Sequence, residues 1–213
     1  MALPFRRESE ETDRLPALSD GVIAIAITLL VLEITVPQVP TGSPTVAFRA
    51  LVIERWHEFL GYVLAFLVIG LYWTLHRRVF VHVERHDRGV VWLNLLFLLF
   101  VAFVPYGTNV FSTYPDRFGV AFVSAVLALT GFSLALLWVY ASRKQLLEEG
   151  LTSRVVGIQA ARFLISPLVL SLSIAVTSVD LTWGVLTWLL LLPINAALNS
   201  RLVERVEEEM EAT

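Results

Sequence analysis

Six long apolar runs separated by short charged segments leave this chain few ways to fold. In hydrocarbon no water is available to bond backbone N–H and C=O groups, so a spanning segment must satisfy them within a helix or a closed barrel. A helix needs about 20 mostly apolar residues to cross roughly 30 Å of hydrocarbon. Runs at 18–36, 59–75, 90–111, 118–140, 160–179 and 181–198 meet that need. The chain is 16% charged, where soluble domains carry about a quarter, and its mean hydropathy is +0.71. The predicted fold is all-α: a six-helix transmembrane domain over 17–200, with a charged tail at 1–16 and a Glu-rich tail at 201–213 that continues the sixth helix into water. Pro105, Pro167 and Pro193 fall inside predicted spans, where neighbouring groups take up the freed carbonyls. Pro37 closes the first span, and Asp180 stands between the last two, which predicts a very tight hairpin there.

Basic residues set the expected orientation. The N-terminal tail, the second-to-third and fourth-to-fifth connections and the C-terminal tail hold thirteen Lys and Arg residues, from Arg6 to Arg205. The other side holds three, Arg49, Arg55 and Arg117. Basic loops stay cytoplasmic, so both termini are predicted inside a cell membrane, which an even helix count requires. The first 16 residues lack the apolar core and small-residue cleavage site of a signal peptide, so the first span is expected to be retained.

Several chemistries have no residues to rest on. The chain has no cysteine, so thiolate metal sites, disulfides and cysteine catalysis are excluded. His57, His76, His82 and His86 do not form a metal-ligand pattern. No phosphate loop, nucleophile elbow or intramembrane carboxylate pair occurs, so neither an enzyme nor a cofactor is expected. A net charge of −3 implies no nucleic-acid partner.

The most informative stretch is Arg14-Leu-Pro-Ala-Leu-Ser19-Asp20, followed by an apolar helix that contains Thr28-Leu29-Leu30. Its plain structural reading is a helix start, with Asp20 complementing the positive dipole end and Arg14 close enough to pair with it. The stretch resembles the transmembrane protein 175 family, whose hallmark is Arg, three residues, then Phe-Ser-Asp; here the Phe position is Leu18. Tyr72-Trp73-Thr74-Leu75-His76-Arg77-Arg78 and the run from Trp92 through Asn94 to Pro105 add to the likeness. Helix order agrees along nearly the whole chain.

The resemblance implies a potassium-favouring channel built as a homotetramer. The first helices surround the pore, which has an apolar constriction instead of a carbonyl filter. Ile25, Leu29 and Leu32 are the implied constriction, with Ile25 at the principal position. By periodicity alone such a stripe is more often a lipid-facing or core face than a pore lining. Thr28 would add hydroxyls, and Glu33 is a candidate outer vestibule residue or an interfacial one. Gly21, Ala24 and Ala26 permit close helix approach. Arg14, Ser19, Asp20, Trp73 and His76 form the implied motif network. Asn94 and Asn109 are expected to bond neighbouring helices. The rival readings are an ion-coupled secondary transporter, which needs midplane ionisable groups and usually a repeated half, and a non-conducting membrane assembly protein.

Overall fold

The structure, a computed structural model, describes residues 5–34, 44–49, 53, 55–191 and 193–194. The helices are α1 (Phe5–Leu29), continued by a 3-10 turn (Leu30–Glu33), α2 (Pro44–Phe48), α3 (Trp56–His82), α4 (Arg88–Thr113), α5 (Arg117–Arg143), α6 (Ser153–Val179) and α7 (Leu181–Trp188). Five segments are long and apolar enough to span a membrane: Arg14–Glu33, Glu58–His82, Arg88–Thr113, Arg117–Arg143 and Ser153–Val179. They alternate in direction, so the N-terminal side of α1, the α3–α4 connection and the α5–α6 connection share one end, called the basic end below. Of the predicted sixth span, α7 supplies the first eight residues. Its remainder past Ile194, the 201–213 tail and Pro37 lie outside the described residues.

Three expectations are corrected. The first helix begins at Phe5, so Ser19 and Asp20 lie well inside it and cap nothing. A polar segment with good helix formers, such as Glu8-Ser-Glu-Glu11, continues the backbone ladder into water; hydropathy marks where lipid ends, not where the helix ends. The first span is also not α-helical throughout, because its last turn tightens to 3-10 geometry from Leu30. Similarly, Arg154 and Arg162, two of the thirteen basic residues counted with the tails and connections from the sequence, lie within α6 and not in the connection before it, and Arg162 is buried.

Short caps join the helices. Asp180 is at once the last residue before α7 and its cap, accepting from the Trp183 amide at 3.0 Å, so the α6–α7 hairpin is as tight as the sequence implies. Arg117, opening α5, donates to the Ser178 and Val179 carbonyls at the end of α6. At the basic end, the connection after α3 pairs with the one after α5. Val83 and Leu147 form an isolated bridge, and the Glu148 amide bonds the His82 carbonyl. His82 Nδ1 lies 2.7 Å from the Glu148 carboxylate. Asp87 caps α4 through the Val90 amide and accepts from the Tyr140 hydroxyl at 2.8 Å. Burial pushes its carboxyl up, but the Val90 and Gly89 amides, Tyr140 and Lys144 outweigh that and hold it below the usual carboxylate range.

The core forms around α5, which packs between α4 and α6. Small residues, among them Ser124, Ala128, Gly131 and Ala135, let its neighbours approach closely. At Gly131 a Cβ would stand 2.6 Å from the Tyr72 hydroxyl, which donates to the Leu127 carbonyl and so ties α3 to α5. On the far side, Trp188 of α7 donates to Ser124 and Ser173, closing α5, α6 and α7 around one polar cluster.

Candidate functional site

The first helix is two-faced. Leu15, Ser19, Ile23, Ala26 and Leu30 recur at three- and four-residue spacing and are buried against α3 and α4. The opposite side is apolar yet uncovered: Leu18, Ile25, Leu29, Val31 and Leu32 are exposed, Ile25 at 61% and Leu32 at 72%. Ile25 and Leu32 are seven residues apart and share a face. Gly21 and Ala24 are exposed as well, and a Cβ added at Gly21 meets nothing. Ala26, by contrast, serves packing inside the subunit. The Thr28 hydroxyl, also exposed, donates back to the Ile25 carbonyl at 2.8 Å, and its oxygen keeps the capacity to accept.

A directed relay holds the buried face at the basic end. His76 Nε2 lies 2.8 Å from Asn94 Oδ1, so the ring nitrogen donates. Asn94 Nδ2 donates to Ser19 Oγ at 2.9 Å, and Ser19 Oγ donates to the Leu15 carbonyl at 2.9 Å. All three side chains are buried, and the His76 ring stacks on Phe97. One turn before His76 on α3, Trp73 Nε1 donates to Asp20 at 2.8 Å. Two consecutive residues of α1 are thereby bonded to α3, one directly and one through α4. Deleting one partner of such a bond strands a buried polar group, at a cost of about 1–3 kcal/mol.

The structure brings Ser19, Asp20, Trp73 and His76 together, with Asn94 as the bridge between Ser19 and His76. Arg14 stands apart: it is exposed and, among the described residues, makes no ion pair with Asp20. At the other end of α1, half-buried Glu33 accepts from Asn109 Nδ2 of α4. That partner was not assigned from the sequence. The available signal was an Asn within an apolar run, since such a group in hydrocarbon needs a partner. Elsewhere, a 380 Å³ apolar groove lies among α3, α4, α5 and α7, lined by Trp56, Leu60, Phe111, Val120, Leu181 and Val185; α1 contributes nothing to it. Among the described residues no group of three metal-ligating side chains occurs.

These features define a polytopic α-helical membrane protein whose first span is pinned by polar bonds on one side and open on the other. Residues 14–105 match the family described as the endosomal/lysosomal potassium channel TMEM175. Over those residues the chain is similar to the TMEM175 family. It is 41% identical over 138 residues to a potassium channel of Streptomyces collinus, covering 62% of this chain and 66% of that protein. It is 42% identical over 107 residues to a potassium channel of Chamaesiphon minutus, covering 50% and 52%. The chain thus matches between about half and two thirds of the length of these relatives. The crystal structure of a lysosomal potassium-selective channel TMEM175 homolog from Chamaesiphon minutus superposes with a TM-score of 0.76 at 28% identity, over 88% of this chain and 97% of that one.

Proposed function

We propose that this protein is a passive, potassium-favouring cation channel of the cell membrane, assembled as a homotetramer with both termini cytoplasmic. In this reading 17–200 is the channel domain, and 1–16 and 201–213 are cytoplasmic tails. The first helices of four subunits enclose the pore, with Ile25, Leu29 and Leu32 as apolar rings spanning about 10 Å. The observation that carries the reading is the uncovered apolar face of α1, held outward by polar bonds on its opposite face. An apolar face is at ease in lipid too, so exposure alone decides nothing. The polar bonds add orientation: they fix which side of α1 leaves the subunit, and that side carries the stripe and the small residues Gly21 and Ala24. The names of its relatives, two bacterial potassium channels, point the same way.

The chemistry follows from hydration. An ion crossing an apolar ring keeps a narrow water shell or sheds it briefly. Potassium holds its shell less tightly than sodium, so the barrier is lower for potassium without a carbonyl cage, and the ring closes by dewetting. Thr28 lone pairs offer a partial replacement for lost water. Glu33 adds negative charge at the opposite end, which concentrates cations.

The test is flux through liposomes containing purified full-length protein, with reversal potentials under bi-ionic potassium and sodium. Wild type should carry downhill flux that favours potassium. Ile25→Asn should raise conductance and bring the permeability ratio toward one, and Ile25→Phe should reduce current. Uphill movement driven by a second ion refutes a channel. Unchanged currents in Ile25, Leu29 and Leu32 variants alike remove α1 from the pore.

A further inference from the structure

α1 is bonded to α4 at two places, and the spacings agree. On α1, Ser19 and Glu33 are fourteen residues apart; on α4, their partners Asn94 and Asn109 are fifteen apart. Both helices run from the basic end to the opposite end, so at about 1.5 Å per residue both pairs of anchors stand roughly 21–23 Å apart. α4 therefore holds α1 at an inner and an outer point, with Ile25 and Leu29 between them and Leu32 beside the outer one. The inner point belongs to the motif network described above. The outer point does not, and two features make it the adjustable one. It holds a 3-10 turn, the less favourable helical geometry, begun at Leu30. It also follows Pro105 by four residues, and proline removes one rung of the α4 ladder between the two anchors.

We propose that Asn109 is a positioning residue for permeation: by donating to Glu33 it holds the 3-10 turn in register and so sets how closely the Leu32 side chains approach the pore axis. This rests on the reading that the first helix lines the pore. The bond joins an amide donor to a carboxylate acceptor, the stronger kind of hydrogen bond. Losing it shifts the ratio of held to released turn by about tenfold. Released, the turn widens the last ring, and sodium gains more than potassium because its dehydration barrier was the higher.

The experiment uses four variants of the full chain in liposomes, read by bi-ionic reversal potential and by thermal unfolding in detergent. Asn109→Asp sets two carboxylates against each other and should lower the potassium-to-sodium ratio several-fold. Glu33→Gln keeps an oxygen acceptor for Asn109 and should change the ratio less. Glu33→Gln with Asn109→Asp exchanges donor and acceptor, so it should return the ratio toward wild type. Ile25→Asn is the reference for pore lining. An unchanged ratio in Asn109→Asp alongside a shifted one in Ile25→Asn refutes the tether and leaves the channel reading standing; no shift in either refutes both. The tether is also overturned if Asn109→Asp lowers only the unfolding temperature, if the double variant stays as altered as Asn109→Asp, or if Glu33→Gln alone gives the full loss. The last result would assign the effect to the Glu33 charge. Should Asn109→Asp fail to assemble, the double variant decides: a wild-type ratio supports the tether and an altered ratio overturns it.

Discussion

α1 and α5 are both apolar helices of spanning length, with mean hydropathy 2.2 and 2.3 in their most apolar windows, yet 22% of the one and 67% of the other is buried within the subunit. Hydropathy therefore does not tell the two apart; side-chain size and polar placement do. Along α5, small residues are distributed so that α3, α4, α6 and α7 can close on several sides, and hydroxyls such as Thr130 and Ser133 bond back to their own helix inside the core. Along the spanning part of α1 and its 3-10 turn, the polar groups that need partners, Ser19 and Asp20 toward the basic end and Glu33 at the other, are bonded to neighbours within the subunit. Its remaining surface, large aliphatic residues with Gly21 and Ala24, makes no demand that lipid or a second subunit could not meet. A helix that serves the fold is surrounded by its own chain; the pore role proposed for α1 calls for a face left free.

The strongest way to break this contrast is a single methyl group placed on each helix. At Gly119, in the first turn of α5, an added Cβ would stand 1.9 Å from the Tyr114 carbonyl oxygen, so the α4–α5 turn must distort. Gly119→Ala should destabilise the subunit by about 3 kcal/mol, the upper range of overpacking, seen as a lower thermal midpoint in detergent. Gly21→Ala meets nothing within its subunit and should be neutral or stabilise by about 0.5–1 kcal/mol. If Gly21→Ala instead weakens the oligomer in native mass measurement, the free face of α1 is a subunit contact.

Next in size is the relay. Asn94→Ala removes the acceptor for His76 and the donor to Ser19 together, leaving buried polar groups unpaired at a cost of about 1–3 kcal/mol. The measurement is thermal unfolding, and a change under about 0.5 kcal/mol would show that α1 is held by apolar packing alone.

Ile25→Asn sharpens the contrast from the other side. Its side chain is exposed, so the unfolding midpoint should move by no more than about 0.5 kcal/mol while ion flux changes. A large loss of stability without altered flux would put Ile25 on the α5-like, structural side of the comparison.

The smallest effect concerns acid. The Asp87 carboxyl is held below its ordinary value, so its contribution is fully present above the unfolded-state value of about 4 and disappears as pH falls through the lower folded one. Asp87→Asn should reduce stability slightly at neutral pH and flatten that acid limb, leaving the inner anchor of α1 untouched. An acid limb unaltered by the substitution would show that the α4–α5 end is held by other groups.

The sequence by itself determined the solvent and the class of fold. Long apolar runs cannot leave backbone groups unbonded in lipid, so helices and their approximate spans follow from composition alone, as does the tight turn at Asp180. Ser19, Asp20, Trp73 and His76 were legible as a set because their types and order are distinctive. What the sequence did not contain was where each helix truly starts, since the hydrogen-bond ladder ignores the lipid boundary and carries α1 back to Phe5. Nor did it contain the pairings. Asn94 with Ser19 and Asn109 with Glu33 join residues more than seventy positions apart, and many partners satisfy an Asn equally well until α1 and α4 lie side by side. Arg14 shows the same limit in reverse: adjacency to Asp20 in the chain suggested a pair, and the turn of one continuous helix left the two without one. Burial of one face and not another is decided by which neighbours arrive, and only tertiary packing brings them.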